Sequence, residues 1–119
     1  KAPTSAASVS DVIQHGTSRS ISPYVHATWD AMKAFFYAES ASARSSGHVI
    51  VAIDVVKMTR RKAPGRSYID VCIAAVRRAH GVAEGSTADA FAARSCEALI
   101  YDDVTRADLI GEPLHIDSA

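Results

Sequence analysis

The chain has 119 residues, 48% of them hydrophobic and 22% charged, which is ordinary globular composition and enough length for one domain with a real core. Thirteen Lys and Arg balance thirteen Asp and Glu, so the formal charge is zero, against the basic excess of a protein whose main partner is nucleic acid. No apolar run approaches the length of a bilayer span. No signal peptide is visible, and the opening "KAPTSAAS" is compatible with one removed during secretion.

In chain order, "SVSDVIQHG" reads as a short helix with Ser8 or Ser10 as N-cap and Gly16 as its stop. The Ser-rich "TSRSISP" follows as a loop, and "YVHAT" at 24–28 is the first strand. Asp30 is placed to cap the next helix, "DAMKAFFYAESASAR", with Met32, Phe35, Phe36 and Glu39 on one stripe and Ala31, Ala34 and Ala38 beside it. After "SSG", the β-branched density of "HVIVAIDVV" predicts a central strand buried on both faces.

"KMTRRKAPGR" reads as a basic connection. "SYIDVCIAAVRRAHG" predicts a helix, since Tyr68, Val71, Cys72, Ala75 and Val76 recur at helical spacing before Gly81. "TADAFAARS" is a further short helix opened by Thr87, "CEALIYD" a strand, "TRADLIG" a helical turn or loop, and "PLHID" a last strand. The order predicts an α+β domain over 1–119 with small mixed sheets flanked by helices.

Several chemistries can be weighed on residue type and spacing. Five histidines and two cysteines lack the tight pairs of a zinc site, so no metal is expected. Cys72 and Cys96 fit either one disulfide in a secreted protein or two buried thiols. The "RRK" run at 60–62, with Lys57 and Arg66, reads as a solvated loop, and "QHGTS" at 14–18 as a helix end.

Four segments, taken in order, resemble the catalytic subunit of the pertussis-toxin, cholera-toxin and heat-labile-enterotoxin type of mono-ADP-ribosyltransferase. "SDVIQHG" is similar to that family's first helix, and "YVHATWDAMKAFF" to its Ser-Thr-Ser strand and following helix. "GHVIVAIDV" is similar to its Gly-His strand, and "SCEALIYDDVTRADLIG" to the turn and strand that carry the catalytic glutamate. The resemblance implies an ADP-ribosyltransferase-like fold and NAD as substrate, with Glu97 in the glutamate's place. In that chemistry the carboxylate stabilises positive charge developing on the ribose as nicotinamide leaves.

By the same resemblance His26 stands where a serine holds the glutamate, so the implied catalytic pair is Glu97 and His26. Lys1, Tyr24 and Thr28 fall at NAD-binding positions, with Lys1 in place of the family's arginine, whose planar fork a lysine lacks. Ser95 stands at the acceptor-selecting position, usually Gln or Glu. These departures imply weakened or lost activity. The expectation is therefore either a secreted toxin or effector that ADP-ribosylates a host protein, acting inside the host cell, or an inactive domain of the same fold that binds a host protein. For a secreted chain, a disulfide between Cys72 and Cys96 is expected to pin their two elements together.

Overall fold

A computed structural model describes residues 8–15, 24–42 and 48–116. Its chain order is helix α1 (Val9–His15), strand β1 (Tyr24–Thr28), helix α2 (Ala31–Ser42), strand β2 (His48–Ile53) and helix α3 (Val55–Arg61). Strand β3 (Tyr68–Ile69), helices α4 (Ala74–Ala79) and α5 (Thr87–Ser95), strand β4 (Glu97–Tyr101), a 3-10 turn (Arg106–Asp108) and strand β5 (Leu109–Ile116) follow. The expected α+β class holds. The sheets, however, are not mixed: both are antiparallel, one of three strands in the order β1-β4-β3 and one of two, β2-β5.

Local chemistry sets most of the boundaries. Ser8 Oγ accepts from the Asp11 N–H at 3.1 Å and opens α1. Asp30 Oδ1 accepts from Met32 N–H at 2.8 Å and opens α2 as expected. Ser86, rather than Thr87, caps α5 by accepting from Asp89 N–H at 3.1 Å. The Gly16 helix stop and Lys1 lie outside the described residues.

Three assignments change. "HVIVAIDVV" is not one central strand. Asp54 Oδ1 accepts from Lys57 N–H at 3.0 Å, so the aspartate ends β2 and starts α3 inside what reads as a basic connection. Among the described residues β2 then pairs only with β5, and its Val49 and Val51 are exposed. β5 is longer than "PLHID", and its register shifts opposite Ile50–Ala52, where Gly111 takes a positive φ of 69° that disfavours side chains. "SYIDVCIAAVRRAHG" is not one helix either. Tyr68 and Ile69 pair with Ile100 and Leu99, and Asp70 Oδ1 then accepts from Cys72 N–H at 3.2 Å in a local turn. Cys72 therefore lies before α4, not on it.

The central strand is β4, buried from Glu97 to Ile100. Leu99 joins Ile69, Val71, Val12 and Ile13 in a cluster that α1 and α5 cover. On α2 the expected stripe turns outward, with Met32 73% and Phe36 61% exposed, while the half-buried Ala34 and Ala38, with the exposed Ala31, line a cavity. Arg61 is not merely solvated. Its Nε and Nη2 donate to the buried Asp108 carboxylate at 3.0 and 2.7 Å and tie α3 to the 3-10 turn. This pair, with the Thr105 N–H and hydroxyl, holds Asp108 well below the usual carboxylate range.

Candidate functional site

β1 and β4 run antiparallel with Thr28 opposite Glu97 and His26 opposite Leu99. Because side chains alternate along a strand, His26, Thr28, Glu97 and Leu99 share one face. There the pair singled out in the sequence meets, with His26 Nδ1 2.6 Å from Glu97 Oε2. With the carboxylate ionised, Nδ1–H is the donor, which fixes the tautomer of a neutral imidazole. The His26 side chain is 21% exposed and that of Glu97 5%.

The second Glu97 oxygen is the unusual one. Oε1 is buried with no hydrogen-bond partner, as is His48 Nδ1. Leaving such a group unpaired costs about 1–3 kcal/mol. Buried polar atoms are otherwise almost always paired, so this carboxylate oxygen has room for a hydrogen-bond donor from outside the chain.

The remaining site positions are more committed. Thr28 Oγ1 donates to the Ser95 carbonyl at 2.7 Å and accepts from Asp30 N–H at 3.1 Å, so it builds the turn from β1 into α2. Ser95 is the last residue of α5, and its hydroxyl is buried against Tyr37 OH at 2.8 Å. Tyr24 sits at the far end of β1 with its ring 5.0 Å from that of Tyr101. Burial, then the Tyr101 hydroxyl, pushes the Tyr24 phenol up to about 12. Thr28, Ser95, His26 and Glu97 thus cluster, while Tyr24 stands apart.

The expected disulfide is not formed: Cys72 and Cys96 are free thiols. Cys96 takes a left-handed conformation, φ 50°, as it closes α5, while Cys72 lies in the turn after β3. Burial first, and a hydrogen bond with the Cys96 thiol second, push the Cys72 thiol up, against the thiolate needed for nucleophilic work. Arg77 is buried and donates to Asp89 at 2.5 Å and to the Val71 and Cys72 carbonyls at 2.9 Å. That arrangement locks the β3–α4 turn to α5.

Against the three-stranded sheet lies a cavity of about 810 Å³, bounded also by α2 and β2. His26, Thr28 and Glu97 border it too, as do Tyr37 and His48. Neither Tyr37 nor His48 was singled out in the sequence as a site residue. The only trace of His48 was its place in "GHVIVAIDV", and nothing local marks Tyr37 as a partner for Ser95. Among the described residues, no three His, Cys, Asp or Glu side chains are grouped to hold a metal, and no helix is long and apolar enough to cross a membrane.

No protein-family model matches this chain, and neither a curated protein nor a solved structure does so.

Proposed function

We propose that the domain is an ADP-ribosyltransferase-like protein that uses NAD as substrate, with Glu97 as the catalytic carboxylate and His26 as its positioning residue. The observation that carries this reading is the Glu97 carboxylate itself. One oxygen is held by His26 at 2.6 Å, and the other is buried with its acceptor capacity unspent. A ribose hydroxyl is a donor suited to that oxygen. As the bond to nicotinamide breaks and the ring gains positive charge, a fixed carboxylate stabilises the charge without having to reorganise. The nicotinamide leaves with the bonding electrons, and an acceptor side chain or water completes the transfer. Secretion and a host-protein acceptor rest on the sequence resemblance alone.

A second reading, an inactive domain that binds a host protein, is favoured by two other observations. Glu97 is only 4% exposed, and α2 presents Met32 and Phe36 to solvent. Nicotinamide release from NAD separates the two. The enzyme reading expects release by the wild type and a loss of about a hundredfold or more in Glu97→Gln, which keeps the shape but removes the charge. No release by the wild type, with no NAD-dependent rise in melting temperature, would reject it in favour of the binding domain.

A further inference from the structure

The 810 Å³ cavity owes its existence to side-chain size. Six alanines line it from facing walls: Ala27 and Ala98 on the three-stranded sheet, Ala31, Ala34 and Ala38 on α2, and Ala52 on β2. Ala31, Ala34 and Ala38 recur at helical spacing, so they form one narrow stripe of α2. Ala27 stands directly opposite Ala98 in the β1–β4 register, so a second small patch lies on the sheet. Small side chains on facing walls leave space between them, where interiors ordinarily close to crystal-like density. The volume falls in the range of small-molecule sites, roughly 300–1,000 Å³.

The chemistry of the lining narrows what fits. Among the described residues no Lys, Arg or Asp borders the cavity, and its one carboxylate, Glu97, is held by His26 through Oε2. A charged ligand would be desolvated there without a counter-ion, which is strongly unfavourable. Among the polar groups, Thr28 and Tyr37 already bond the Ser95 carbonyl and hydroxyl, whereas His48 Nδ1 is buried without a partner, as is Glu97 Oε1, the atom the proposed function assigns to a ribose hydroxyl. We infer that this cavity binds an uncharged, largely apolar small molecule with one hydrogen-bonding group, which His48 Nδ1 engages. The site does not depend on whether Glu97 is catalytic.

The test uses the full chain and the fluorescent probe N-phenyl-1-naphthylamine, displaced in turn by naphthalene, 1-naphthol and 1-naphthoate. The expected result is saturable one-site binding, with 1-naphthol about fivefold tighter than naphthalene, the worth of one hydrogen bond. The 1-naphthoate should be at least about tenfold weaker than 1-naphthol, since its carboxylate finds no counter-ion. His48→Leu should erase the advantage of 1-naphthol. Ala34→Phe, or the gentler Ala38→Leu, should fill the space and abolish probe binding without lowering the melting temperature. Probe uptake that does not saturate, filled variants that bind as the wild type does, or 1-naphthoate equal to 1-naphthol would each overturn the inference. The displacement series on the wild type decides the matter even if a filled variant does not fold.

Discussion

Leu99→Ala tests the frame on which the Glu97–His26 pair rests. Leu99 is fully buried on the middle strand of the three-stranded sheet, with His26 opposite it on β1 and Ile69 opposite it on β3. Replacing a buried leucine by alanine costs 2–5 kcal/mol, the spread reflecting how far the surroundings can collapse into the space. Here the backbone is held by ladders on both sides and covered by α1 and α5, so relaxation is small and a loss of about 4 kcal/mol is expected. For a chain of this length that corresponds to a fall of roughly 15 °C in melting temperature. Urea unfolding followed by circular dichroism would measure it, with an unchanged denaturant slope showing that the unfolded state is the same. Ile110→Ala on β5, where the side chain is 58% exposed, is the control and should stay within about 0.5 kcal/mol of wild type. A loss below about 1 kcal/mol for Leu99→Ala, or equal losses at the two sites, would refute β4 as the packed spine.

Asp108→Asn should destabilise the protein at neutral pH. The carboxylate is held below its ordinary value, first by Arg61, so its stabilisation is present above the unfolded value of about 4 and fades as pH falls below it. A gap between wild-type and variant urea midpoints that stays constant from pH 7 to pH 3 would contradict this. Asp89 is likewise held low, first by Arg78 and then by the Gly85 N–H and Arg77, so Asp89→Asn should show the same narrowing of its gap on acidification. Oxidised glutathione should convert the neighbouring Cys72 and Cys96 thiols to a disulfide by exchange, each disulfide formed releasing two reduced glutathiones. The closed loop should then add roughly 3 kcal/mol, and two thiols still free to alkylating reagent after prolonged treatment would reject the pairing.

Much of the local structure was legible in the residues themselves. Ser8 and Asp30 cap helices where their side chains suggest, and the β-rich runs at 24–28 and around 97–101 are strands. These signals need only neighbours within a turn of the chain, so a short window of sequence contains them. The failures share a cause. Helical spacing from Tyr68 to Val76 was real, yet Tyr68 and Ile69 gain more by pairing with β4, some thirty residues on. The apolar run at 48–56 could not reveal that Asp54 would cap α3 or that β2 would pair with β5 at the edge of a two-stranded sheet. The cavity, too, depends on how three alanine-bearing walls are set against one another, which no single segment encodes.

The site shows the same division. The sequence carried a carboxylate and an imidazole in strands of suitable order, but not which faces they would take. The antiparallel register of β1 on β4 decided that, bringing residues 71 positions apart to 2.6 Å. The same packing left Glu97 Oε1 and His48 Nδ1 without partners. Whether a buried polar atom is satisfied depends on every element packed around it, so tertiary structure alone could decide it.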